Sequence, residues 1–231
     1  SQYSTFLNSN KVLKGTNDAA MVKRVGERIA KAAKLWLDTN GYQGYLDDYR
    51  WEYHLVDSPE VNAWCMPGGK IVVYTGILPI TQSETGLAVV MGHEVAHALA
   101  DHGAQRMSAS TLQQIGAYAG AIALQSSDYA KYTEQFMLAY GLGSNLGVML
   151  PFSRSNETEA DAIGIQIMAI AGYDPSEAPE LWKRMSAKSG GGSSSALLST
   201  HPSNESRIKN LTSLVPKARA EAAKFGVTSF K

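Results

Sequence analysis

Leu87, Val90, Met91, Val95, Ala98 and Leu99 recur at helical spacing, so one long helix is expected from about position 84 past position 100. Thr81 and Glu84 stand ahead of it at capping-box spacing. Inside this apolar run lies His93-Glu94-Val95-Ala96-His97. Helix positions four apart share a face, so His93 and His97 can point two ring nitrogens at one metal ion. Glu94 projects beside them, where a carboxylate can take a proton from metal-activated water. With five His in 231 residues, a chance match of this spacing is rare.

A metal at this helix needs further ligands, and the composition narrows them. Cys65 is the one cysteine, which excludes an intrachain disulfide and a Cys-based zinc site. A third His in the metzincin pattern fails, because Gly103 stands where that His belongs and Ala100 where its glycine belongs. His102 lies about 140° around the helix from His97 and reads as a residue outside the metal shell or on the surface. The remaining option is Asn156-Glu157-Thr158-Glu159-Ala160-Asp161. Glu157 and Asp161 are four apart and can face the same way. Glu157 would complete the metal shell, and Asp161 would accept a hydrogen bond from the outer N–H of a ligand His. Glu159 lies about 200° from Glu157 and faces solvent or caps the helix from Asn156. Taken alone, this segment reads equally as an acidic helix start favoured by the macrodipole.

The rest of the chain reads as mostly helical α+β, with a small sheet near residues 49–74 and a single domain over 1–231. Asn17–Asn40 is an amphipathic helix, capped by Asn17 or Asp18 and ended by Gly41. Tyr49–Val56 alternates as a strand, and Asn62–Cys65 and Lys70–Tyr74 are short strands around Pro67-Gly68-Gly69. Helices are expected over Ser110–Leu124, Glu157–Ala171, Asp174 to about Lys188, Arg207–Leu214 and Lys217–Phe225. Ser189–Ser195 is a flexible loop. Lys+Arg and Asp+Glu both total 21, so the basic excess of a nucleic-acid binder is missing. The most apolar stretches, Leu112–Leu124 and Met137–Phe152, are shorter than the roughly 20 residues that cross a bilayer.

Four segments together resemble the M48 family of zinc metallopeptidases, in particular its soluble, Oma1-like bacterial members. They are Asn62-Ala63 with Pro67–Val73, His93–His97 with His102, Glu157–Asp161, and Thr200-His201-Pro202 with Arg207. They span a core of about residues 15–215. The resemblance implies a zincin-like fold, one zinc ion per chain held by His93, His97 and Glu157, and Glu94 as general base. It implies that His201 stabilises the oxyanion, that Asp161 and Arg207 support the shell, and that Asn62 holds substrate backbone. Lys70–Tyr74 resembles the edge strand of the cleft, where a polypeptide would add as a further strand along Ile71, Val72 and Val73.

The expected activity is endoproteolysis of polypeptides. Alternatives are a zinc-binding chaperone-like or latent protein, and an aminopeptidase. Residues 126–153 would cover the active site. Cys65 reads as a small buried hydrophobe, and His54 as a packing residue. By the same resemblance the chain belongs in a bacterial cell envelope, periplasmic or held by a lipid anchor on a removed N-terminus.

Overall fold

The computed structural model describes residues 2–100, 152–189 and 195–231. In chain order these form α1 (Gln2–Ser9), β1 (Val12–Leu13), α2 (Asn17–Thr39), β2 (Glu52–Val56), β3 (Ala63–Met66) and β4 (Lys70–Tyr74). After a 3₁₀ turn at Thr75–Ile77 come α3 (Leu78–Thr81), α4 (Glu84–Leu99), α5 (Arg154–Ile170), α6 (Glu177–Ser189), α7 (Ala196–Thr200) and α8 (Glu205–Ala223). The fold is α+β and mostly helical. His102, the expected helix Ser110–Leu124, nearly all of the proposed cover 126–153 and the tip of the 189–195 loop lie outside the described residues.

The sheet is mixed, in the order β1-β2-β4-β3, with β2 parallel to β4 and the other pairs antiparallel. Side chains alternate between its faces. Leu55, Ala63, Cys65, Ile71 and Val73 join α2 and α4 in the main core. Val56, Trp64, Met66, Val72 and Tyr74 face the other way and pack on Tyr3, Phe6 and Phe152. The short helix α1, which has no counterpart in the sequence reading, covers that second face.

This order corrects the expected edge. Lys70–Tyr74 is an interior strand, paired with β2 on one side and β3 on the other. Its Ile71, Val72 and Val73 are wholly buried, and their backbone groups serve the two ladders. Among the described residues, β3 ends the sheet on that side.

α4 is the centre of the molecule. Every residue from Gly86 to Leu99 is buried, as expected of a helix that is apolar all round. Its N-cap is Ser83, whose hydroxyl accepts from the Gly86 N–H. Thr81 cannot take that place, because it closes α3 and the chain reverses at Gln82, at φ +61°. Thr16 likewise caps α2 in place of Asn17 or Asp18, and Ser153 rather than Asn156 caps α5.

Residues 205–223 form one helix, not two. Pro216 sits inside α8. Its missing N–H and ring clash cost about 3 kcal/mol in a free helix, but Leu211, Ala218 and Ala222 anchor it in the core on both sides of the proline.

Candidate metal centre

The site is built where α4 and α5 cross. Gly92 and Gly164 meet there: a Cβ on Gly164 would lie 3.0 Å from the His93 N, and one on Gly92 3.0 Å from the Gly164 O. Without side chains at the crossing, the backbones approach closely. Glu157, two turns earlier on α5, is thereby brought beside His93 and His97. The third contributor is the turn between α7 and α8. Ser195 caps α7 and accepts from the Leu198 N–H, and α7 ends at His201.

Four residues converge. His93, His97, Glu157 and His201 are all buried, and one ligand atom from each falls within a 4.8 Å group. His93 Nε2 lies 3.0 Å from His97 Nε2 and 3.2 Å from His201 Nδ1. Glu157 Oε1 lies 3.0 Å from His97 Nε2 and 2.8 Å from His201 Nδ1. A tetrahedral ion with bonds of about 2.0–2.1 Å needs ligand atoms roughly 3.3 Å apart, so the observed spacing fits with slight expansion.

The outer positions are also filled. His93 Nδ1 is 3.0 Å from Asp161 Oδ1, so an Nδ1–H donating there leaves the Nε2 lone pair facing the group. Arg207 donates to both oxygens of Asp161, at 2.8 and 2.7 Å, and its Nη1 lies 2.9 Å from Glu157 Oε2. Glu94 turns its carboxylate toward His201, with Oε1 at 3.4 Å from Nε2. Neither Glu94 oxygen has a hydrogen-bond partner among the described residues. Phe152 closes one flank: its ring stacks on His97 at 4.1 Å and on His201 at 5.0 Å between centroids.

The electrostatics suit a cation. Glu94, Glu157, Asp161 and Arg207 are buried together. Three carboxylates against one guanidinium leave two negative charges when the imidazoles are neutral. Burial opposes charge on His93, yet Glu157 and the hydrogen bond to Asp161 outweigh it and push the pKa up to about 9. Burial drives His97 well below its usual range. Burial raises Glu94, with His201 and His93 pulling the other way. Burial would raise Glu157 and Asp161 too, but His201 and His93 hold Glu157 far below the carboxylate range, and Arg207 with His93 holds Asp161 down. A proton on His93 offsets one of these charges, and a divalent ion held by the four inner atoms would offset both.

The Peptidase family M48 model matches residues 17–215. The chain belongs to this family. Among relatives of this M48 peptidase, the mitochondrial metalloendopeptidase OMA1 of Schizosaccharomyces pombe is 39% identical over 76% of this chain and 50% of its own length. OMA1 of Arabidopsis thaliana is 36% identical over 87% of this chain and 41% of its own length. The β-barrel assembly-enhancing protease of Escherichia coli is 30% identical over 68% and 32%. The chain spans half or less of the length of these relatives. The family is one of metallopeptidases, and His93, His97, Glu157 and His201 are a group that could hold a metal ion.

The remaining expected site residues fall elsewhere. Asn62 is buried at the start of β3. Its Nδ2 donates to Glu60 Oε1 and its Oδ1 accepts from the Ala63 N–H, both at 2.9 Å. Ile71, Val72 and Val73 are core residues of the interior strand. Glu159 is exposed. Cys65 is buried on the α4 side of β3, and burial followed by the nearby Glu94 raises its thiol well above the usual range. Gly92, Gly164 and Trp182 contribute to the site and escaped the sequence reading, whereas Phe152 lies within the expected cover 126–153. A glycine or aromatic in an apolar run carries no signal of which neighbour it meets. Among the described residues no helix is long and apolar enough to cross a membrane.

Proposed function

We propose that the chain is a zinc-dependent endopeptidase that hydrolyses peptide bonds of polypeptides. One observation carries this reading: the buried Glu94 carboxylate, which has no hydrogen-bond partner among the described residues, beside four convergent ligand atoms. Holding a metal needs no such group, but base catalysis does. His93, His97 and Glu157 would hold the ion, and three imidazole nitrogens and a carboxylate oxygen in the group suit zinc. Bound zinc supplies Lewis acidity toward a carbonyl and lowers the pKa of water. Glu94 accepts the proton of the attacking water and later delivers it to the leaving amine. Its raised pKa suits both acts. The Asp161 carboxylate keeps the His93 proton on Nδ1, and Arg207 keeps Asp161 charged. Trp182 and Phe152 shut water out from two flanks.

The polypeptide would add beside Ala63–Met66, the strand that ends the sheet among the described residues and packs on α4. The test is metal analysis with casein cleavage for the wild type and Glu94→Gln. Equal zinc with cleavage lost is the expected result, and full cleavage by zinc-loaded Glu94→Gln would sink the reading. An N-terminally blocked peptide that is still cut separates endopeptidase from aminopeptidase action.

A second reading follows from His201. Its Nδ1 belongs to the ligand group, and an ion held by all four residues would have no open position. The protein would then be latent until His201 moves. His201→Ala decides between the roles: cleavage rises if His201 closes the site, and falls if it stabilises the oxyanion. The name of the E. coli relative, a protease that enhances β-barrel assembly, supports a role in envelope protein quality control. Fractionation of the native host, with the chain found in the envelope or in the cytosol, tests the periplasmic or lipid-anchored location.

A further inference from the structure

We propose that Trp182 is a positioning residue of the metal site: its indole holds the Arg207 guanidinium in the plane from which it fixes Asp161, and through Asp161 the ring of His93. This rests on the metallopeptidase reading. Trp182 lies on α6, which supplies none of the four residues of the metal group, and it is 1% exposed. The Arg207 guanidinium carbon sits 3.6 Å from the centroid of its ring. The same indole meets His93 edge-on at 5.5 Å between centroids.

The geometry gives Trp182 work that no hydrogen bond performs. Arg207 donates from Nε and Nη2 to Asp161, at 2.8 and 2.7 Å, and from Nη1 to the Pro202 carbonyl at 3.1 Å. Donors of a guanidinium act in its own plane, so these contacts resist sliding and rotation within that plane. They resist displacement along the normal only weakly. The indole face is the contact along the normal, and Trp presents the strongest π-face to a buried guanidinium. If Arg207 tilts, its bidentate hold on Asp161 loosens. Asp161 then loses the position from which it accepts the His93 Nδ1–H. Outer-shell partners of this kind set metal affinity by about 10–100-fold. Packing alone would make any apolar side chain of similar volume sufficient at position 182. The positioning role requires an aromatic face.

The experiment compares zinc affinity of the whole chain, by competition with a chromophoric chelator, in the wild type, Trp182→Phe and Trp182→Met. Phe and Met leave comparable cavities, but only Phe keeps a ring face. Circular dichroism and thermal unfolding in excess chelator report the fold without metal. Trp182→Met is expected to weaken zinc binding at least about tenfold. Trp182→Phe should lose about two- to fivefold, while both variants unfold at similar temperatures. Equal losses in the two variants, or no loss in either, would overturn the proposal. If Trp182→Met does not fold, Trp182→Phe decides alone, and unchanged zinc affinity overturns it. Wild-type protein that binds no zinc would defeat the metallopeptidase reading itself. Normal wild-type zinc binding and casein cleavage, with a tight-binding Met variant, would defeat only the role of Trp182.

Discussion

Asp161 ties the two halves of the metal centre together, since one carboxylate serves both His93 Nδ1 and the Arg207 fork. Asp161→Asn keeps the shape and removes the charge. It takes from the buried Arg207 guanidinium one of its two carboxylates and leaves Glu157, a loss of about 1.5–3 kcal/mol for a charge-assisted hydrogen bond, and it frees His93 to change tautomer. Urea unfolding should register the loss of stability, and chelator competition a roughly 10–100-fold loss of zinc affinity. Unchanged affinity would show that His93 needs no such partner. The inner part of this site was legible in the sequence because both of its pairs are local. His93 with His97, and Glu157 with Asp161, each repeat the helix period. His201 and Arg207 entered only through resemblance to a family, as no spacing links them to α4. Trp182 was illegible for a different reason: in α6 its spacing fits an ordinary core position, and only the third dimension lays it on Arg207.

Element contacts carry two further tests. A methyl on Gly164 would press on the His93 N at 3.0 Å and on the Gly92 backbone at 3.1 Å, and helix backbones cannot yield as a flexible side chain does. Gly164→Ala should therefore separate α4 from α5, cost about 1–3 kcal/mol, and weaken zinc binding because Glu157 moves with its helix. Thermal unfolding and zinc competition measured together would check both effects. At the start of α4, Glu84 accepts from Arg24 at 3.0 Å and from the Tyr173 hydroxyl at 2.8 Å. The bond from Arg24 outweighs partial burial, and with Tyr173 it brings the pKa from 4.5 down to about 2. The unfolded chain takes up this proton first, so Glu84 stabilises the fold above pH 4.5 and stops doing so as the pH falls to 2. Because Arg24 is half-exposed, solvent screens much of this contribution. Denaturant midpoints should place Glu84→Gln below the wild type at pH 7, with the gap closing toward pH 2. β2, β3 and β4 were found in the sequence at nearly their true places, but β1 and the strand order were not. Alternation tells which face a residue takes and says nothing about which strand lies outermost. Lys70–Tyr74 was placed at the edge by the family resemblance alone, and among the described residues β3 occupies it. The break expected at Pro216 failed because the cost of one proline is smaller than the burial that holds α8 on both sides of it.

On the scale of the whole molecule, the metal group is a junction between parts far apart in sequence. His93 and His97 come from α4, Glu157 from α5 and His201 from the turn before α8, while the sheet and α1 stand outside it. A bound ion therefore cross-links helices that the apolar core already packs. Taking it away leaves the buried carboxylates to be offset by Arg207 and a proton on His93. Binding at a concentration a thousand times the Kd adds about 4 kcal/mol to stability. In a chain of this size that corresponds to roughly 10 °C in Tm. Treatment with a strong chelator should lower Tm by about that amount, and zinc should restore it. Where the loosening occurs is the sharper prediction. Amide hydrogen exchange should rise in the His93–His97 turn of α4, the first two turns of α5 and the 201–207 turn. It should stay unchanged in β2 and β4, whose ladders and cores do not touch the ion. If the sheet loosened as much as α4 and α5, the metal would be stabilising the molecule as one unit. If nothing loosened, the four side chains would hold their places without it.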